Sequence, residues 1–190
     1  MYGGAKDYRT LYYYSSLGAR RARDVNRFHI GGPATTAVYK NWLQTFLDYV
    51  IEKDLRIDFL SWHHYTKDPQ EFTSDVESVR AWLPQEKYSR YYNLPKLITE
   101  WGYDSVNNDE YNSQLAAAYT VASVRNLVDQ KIELAFVYEA RDGPQTNLGI
   151  LTATGVKKPR YDALLMLNKL EGYRLDLQGE GSFVKGIASK

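Results

Sequence analysis

The stretch KLITEWG, Lys96–Gly102, decides the fold. Leu97 and Ile98 are apolar, Ile98 is β-branched, and Thr99 suits a strand, so the run reads as a buried strand. It ends on Glu100 and Trp101 before Gly102 breaks it. A near-continuous apolar run is what a parallel strand covered on both faces requires. The acid at its end is either the chain surfacing into a polar loop, paired with a helix lysine, or a catalytic carboxylate.

Working outward, three further runs have the same character: RFHIGG from Arg27, IDFLSWHHY from Ile57 and ELAFVYEA from Glu133. Helical patterns separate them. Thr36 can cap a helix with Tyr39, Trp42, Leu43, Phe46, Leu47 and Val50 on one face. A helix is expected over Thr73 to Leu83. Asn108 or Asp109 can cap another, with Leu115, Ala118, Val121, Ala122, Leu127 and Val128 as its apolar side. A first helix is expected from Tyr8 to Asp24, and a last one after Pro159. The strand starts lie 30, 39 and 37 residues apart, the spacing of βα units with parallel strands. An open doubly wound sheet and part of a (β/α)8 barrel both fit. No G-x-G-x-x-G loop follows any of the strands, and Pro33 removes an amide donor from GGP, residues 31–33, which disfavours a nucleotide fold. GGP itself reads as a tight turn that glycine permits. Four βα units make half of a barrel that takes about 250 residues.

Residues 173–190 change character. Tyr173, Leu175 and Leu177 alternate with polar residues, GEGS is a turn signal, and FVKGIA reads as a return strand. The expected division is a barrel part over 1–172 and a hairpin over 173–190, either folded back on the barrel or opening an accessory β domain.

Composition excludes several classes. A net charge of +1 gives no electrostatic case for nucleic acid or an anionic membrane. No apolar run reaches the roughly 18 residues of a membrane span. With no cysteine, disulfides and thiolate metal sites are out. Seventeen tyrosines and four tryptophans suit either core packing or stacking on sugar rings. No compartment is indicated.

In a barrel, the C-terminal strand ends carry the site. Asp58 and Glu133 stand at the wrong ends and read as structural. Glu100, His63, His64, Tyr65, Tyr138, Glu139 and Asp142 stand at the right ones. By strand parity Phe59, Ser61, His63 and Tyr65 share one face, and Ile98 shares a face with Glu100. One interior would then hold His63, Tyr65 and Glu100, with Tyr65 within hydrogen-bond reach of Glu100. Trp62 and His64 would face the helices or the rim. A metal held by both histidines is disfavoured, because adjacent strand residues point to opposite faces. Ser61 lacks the strained elbow of a serine nucleophile.

HIGGPA, S-x-H-x-Y, ITEWG, FVYEARDGP and GILTATGVKKPRY, in this order, resemble the clan A glycoside hydrolases, closest to the β-xylosidase and α-L-iduronidase family, glycoside hydrolase family 39. The resemblance implies barrel strands five to eight of a retaining enzyme acting on carbohydrate without a cofactor or metal. It implies Glu100 as catalytic nucleophile and His63 and Tyr65 as residues that touch sugar hydroxyls and orient it. Trp101 and Tyr138 would be cleft aromatics, and Glu139 and Asp142 would bond sugar or pin a loop. Such enzymes need a second carboxylate about 5–5.5 Å from the first. In this clan it is the Glu of an Asn-Glu pair ending strand four, and the sequence contains no Asn-Glu. Glu139 is near enough in spacing to substitute, but nothing in the resemblance supports it. The chain alone is therefore expected to be inactive. The other reading is a non-catalytic half barrel that binds carbohydrate or pairs with a second copy through its open sheet edges.

Overall fold

The computed structural model describes residue 4, residues 6–181 and residues 184–190. Four parallel strands lie side by side in chain order: β1 (Gly31–Thr35), β2 (Phe59–Tyr65), β3 (Lys96–Gly102) and β4 (Leu134–Val137). The helices α1 (Tyr8–Arg21), α2 (Lys40–Glu52), α3 (Glu71–Trp82), α4 (Gln114–Asp129) and α5 (Pro159–Leu167) alternate with them. One cluster joins Leu43, Phe46, Leu47 and Val50 of α2, Phe72, Val76, Val79 and Trp82 of α3, and Leu60, Trp62, Ile98 and Trp101 of the sheet. The packing thus gathers on one face of the sheet. The other face carries His63, Tyr65 and Glu100. At the β4 edge Leu134 and Phe136 remain 52% and 51% exposed.

β2 and β3 form where the sequence places them. β1 does not. Residues 25–30 lie outside any strand, and Gly-Gly-Pro is the strand itself rather than a turn. The glycines allow close approach: a Cβ on Gly31 would overlap the Phe59 carbonyl oxygen, and one on Gly32 would overlap the Tyr8 hydroxyl. Asp58 is structural, as its position implied. Its carboxylate accepts from the Ile30 amide at 2.8 Å and pairs with Arg56 at 2.9 Å, joining the entries of β1 and β2.

Two helices start later than expected. Tyr39 rather than Thr36 occupies the N-cap of α2. Asn108 caps only a short 3-10 turn, Asp109–Asn112, and Ser113 caps α4, accepting from the Leu115 amide at 3.2 Å. The buried side of α4 also differs. Ala116, Tyr119, Thr120, Ser123, Asn126 and Leu127 face inward, while Leu115 and Val128 are exposed. The inward hydroxyls are tolerated where they find partners: Thr120 donates to the Ala116 carbonyl and Tyr119 to the Gly102 carbonyl.

At the C-terminus Arg174–Leu175 (β5) pairs antiparallel with Ala188–Ser189 (β6). The return strand thus lies at the end of the FVKGIA run; Ser182 of the expected turn and Phe183 of that run are outside the described residues. Arg125–Glu180 at 2.8 Å and Arg174–Asp129 at 3.1 Å tie this segment to α4.

Candidate active site

Parallel pairing of β2 with β3 sets the site. His63 lies opposite Glu100, His64 opposite Trp101 and Tyr65 opposite Gly102. The Tyr65 hydroxyl donates to Glu100 Oε2 at 2.8 Å, and His63 Nε2 lies 3.6 Å from Oε1. The carboxylate remains 38% exposed, open to a reactant yet held from one side. Burial pushes the Tyr65 phenol up, and the hydrogen bond to Glu100 pushes it further. It stays a proton donor across the accessible pH range.

The same-face expectation for Ile98 and Glu100 fails at a bulge. Trp62 pairs with Ile98 but His63 pairs with Glu100, so Thr99 is an extra residue in β3. Ile98 accordingly joins the helix-side core, and Glu100 turns to the opposite face. Thr99, which no sequence pattern singled out, has a place beside His63. Its hydroxyl donates to the Trp62 carbonyl at 3.2 Å and lies 3.0 Å from His63 Nδ1. The contact with Nδ1 orients the ring so that Nε2 faces Glu100.

Trp101 is not a cleft aromatic. It is 2% exposed, on the helix side, with its ring edge-on to Phe72 at 6.0 Å. Ordinary alternation sets this orientation, since Trp101 directly follows Glu100. His64 and Trp62 face the helices as expected. Asp75 of α3 accepts from Trp62 Nε1 at 2.9 Å and lies 2.6 Å from His64 Nδ1. Burial pushes the His64 imidazole down, but the Asp75 hydrogen bond and charge, with Glu71, outweigh it and the net shift is upward.

From the end of β4, Tyr138 lies beside the pair, its ring 6.3 Å from that of Tyr65 and steeply tilted. Glu139 accepts from the Thr146 hydroxyl at 2.8 Å in the loop beyond β4. Asp142 is not offered to a ligand. Lys158 Nζ at 2.7 Å and the Gly149 amide at 2.8 Å occupy Oδ1, in a buried ion pair that pins the loop. Among the described residues no group of three His, Asp or Glu side chains is placed to hold a metal ion, and no helix is long and apolar enough to cross a membrane.

The order of these strands and residues has counterparts. The β-xylosidases of Caldicellulosiruptor saccharolyticus and Geobacillus stearothermophilus are 26% and 25% identical over 94% and 92% of this chain. The chain spans only 40% and 39% of their lengths. Among solved structures, a GH39 β-xylosidase from Caulobacter crescentus superposes with a TM-score of 0.75 at 23% identity, over 93% of this chain and 40% of its own. The GH39 enzyme from Xanthomonas axonopodis pv. citri gives 0.74 at 22%, over 90% and 38%. A family model described as glycosyl hydrolases family 39 matches residues 3–189, nearly the whole length, and the chain therefore belongs to that family.

Proposed function

We propose that this chain is the second half of a (β/α)8 barrel, strands five to eight, of a retaining glycoside hydrolase acting on xylose-type glycosides, with Glu100 as nucleophile. The observation that carries the reading is the Tyr65–Glu100 hydrogen bond beside His63, at the C-terminal ends of two adjacent parallel strands. A partly exposed carboxylate with one oxygen hydrogen-bonded presents its other oxygen to an anomeric carbon. Attack there forms a C–O bond to Glu100 as the glycosidic C–O bond breaks, giving a glycosyl-enzyme that water then hydrolyses. The Tyr65 donor fixes the attacking angle, and His63 Nε2 is placed to bond a sugar hydroxyl beside the carboxylate. Tyr138 offers a ring face or edge at the rim. The proton for the leaving group comes from a carboxylic acid on strands that this chain does not contain. Of the described residues, those up to 172 belong to the barrel part and those from 173 to the hairpin attached to it.

The test separates the two carboxylates. A 2-deoxy-2-fluoro-xylosyl fluoride needs no acid, because fluoride leaves unassisted. Mass spectrometry of the 190-residue chain should find the sugar on Glu100, and no label in Glu100→Gln. Aryl xylosides that need a proton should not turn over. Labelling at another residue, or none, would remove the nucleophile assignment. Robust turnover lost in Glu100→Gln would bring the acid back into this chain.

A second reading has one observation of its own. Among the described residues β1 and β4 each pair on one side only, and Leu134 and Phe136 are half exposed beside the open edge. A second copy could cover them with two-fold symmetry. Light scattering decides: a dimer supports this closure, and a monomer at high concentration rejects it.

A further inference from the structure

Arg160, in the first turn of α5, is 0% exposed, yet among the described residues no carboxylate pairs with it. Its Nη1 donates to the Leu148 carbonyl at 2.9 Å and its Nε to the Thr120 hydroxyl at 3.3 Å, while Nη2 has no partner among the described residues. A buried charge without a counter-ion is costly to keep. Its surroundings are aromatic. The guanidinium lies 5.0 Å over the Tyr111 ring, and Tyr119 and Tyr65 are near enough to act on its charge.

Those tyrosines hold the exit of β3. The Tyr111 hydroxyl accepts from the Asp104 amide at 2.7 Å and donates to the Asp104 carbonyl at 2.5 Å. The Tyr119 hydroxyl donates to the Gly102 carbonyl at 2.9 Å. Gly102 is where this clamp meets the site: a Cβ there would stand 2.7 Å from the Tyr111 hydroxyl and 3.2 Å from the Tyr65 ring. Gly102 is also the register partner of Tyr65. The contacts run without a break from Arg160 through Tyr111, the Gly102–Asp104 turn and Tyr65 to Glu100.

We infer that Arg160 is a positioning residue for Glu100: its guanidinium fixes the Tyr111 ring, Tyr111 locks the turn after β3, and the locked turn seats Tyr65 so that its hydroxyl meets the carboxylate. The inference rests on the reading of Glu100 as nucleophile. Planarity matters here as well as charge, because a flat guanidinium covers a ring in a way an ammonium does not.

The experiment reads the Tyr65 hydroxyl proton by NMR in the 190-residue chain, assigned by its absence in Tyr65→Phe. Hydrogen-bonded to Glu100, it exchanges slowly with water. Arg160→Met and Tyr111→Phe should each speed that exchange several-fold, and Arg160→Met should add nothing in a Tyr111→Phe background. Unchanged exchange in Arg160→Met, or effects that multiply in full in the double variant, overturns the inference. If Arg160→Met does not fold, Arg160→Lys takes its place with the same expectation and the same overturning result. Labelling of Glu100 by the fluorosugar is an independent readout. No label alongside the expected exchange rates would remove the nucleophile and leave the coupling in place. A label with unchanged exchange would do the reverse.

Discussion

Asp75 is the perturbation whose cost follows most directly from the contacts. One carboxylate oxygen serves two buried donors, Trp62 Nε1 at 2.9 Å and His64 Nδ1 at 2.6 Å. Asp75→Ala leaves both without an acceptor in a region closed to water. Each stranded donor costs about 1–3 kcal/mol, so the pair comes to about 4 kcal/mol. That is a large part of the roughly 5–15 kcal/mol of a typical domain. Asp75→Asn keeps an oxygen in place and loses only the charge, so its cost should be about 1–2 kcal/mol. Urea denaturation followed by tryptophan fluorescence measures both, with the slope unchanged if only stability moves. The pH dependence supplies a second axis. The His64 pKa is raised in the folded chain, so its contribution is full below the ordinary histidine value and fades as pH rises through the raised one. In Asp75→Ala the main cause of the upward shift is gone, and that loss of stability on the alkaline side should flatten. At the low end of that range two unpaired donors still cost about 2 kcal/mol together, so a smaller measured loss for Asp75→Ala would refute the reasoning.

Four further outcomes can be checked. Gly31→Ala should destabilise by about 1–3 kcal/mol in thermal unfolding, because its methyl would overlap the Phe59 carbonyl and part β1 from β2. Gly102→Ala should slow fluorosugar labelling of Glu100 several-fold and also lower the melting temperature, since the new Cβ would stand 2.7 Å from the buried Tyr111 hydroxyl and press on the Tyr65 ring. Lys158→Met should cost about 3–5 kcal/mol by leaving Asp142 buried and unpaired, and adding Asp142→Asn should recover part of that. For Asp58, burial pushes the carboxyl up, but the Ile30 amide and Arg56 outweigh it and the net shift is downward. Its contribution is present above the ordinary carboxylate value and lost as pH falls through the lowered one, so the acid limb of the stability curve should flatten in Asp58→Asn.

The parts of the fold legible in the sequence were those set by local pattern. Strand parity in IDFLSWHHY sent His63 and Tyr65 one way and Trp62 and His64 the other, as the structure has them. What failed depends on neighbours. Gly31–Gly32–Pro33 has the composition of a turn, and only the Phe59 carbonyl and the Tyr8 hydroxyl explain why a strand needs those glycines. On α4 the aliphatic side chains outnumber the hydroxyls, yet Thr120 and Ser123 are buried and Leu115 is not. Their order in the chain does not say which side meets α5. The bulge at Thr99 has no marker in KLITEWG, and from it came the error at Ile98. Asp142 stands at a plausible mouth position, but its partner Lys158 is sixteen residues away. Arg160 reads from sequence as an ordinary charged residue in a helix first turn.

The extra residue in β3 has a consequence for how such a strand could change. A strand one residue shorter, lacking Thr99, would alternate regularly from Ile98 inward to Trp101, with the acid between them still on the open face. The insertion therefore leaves the outlook of its neighbours intact. What it adds is one hydroxyl, spliced in at the level of the imidazole, which holds the ring where it stands. Counting residues along this strand thus misjudges it by one: Thr99 is a part fitted into a frame that would stand without it.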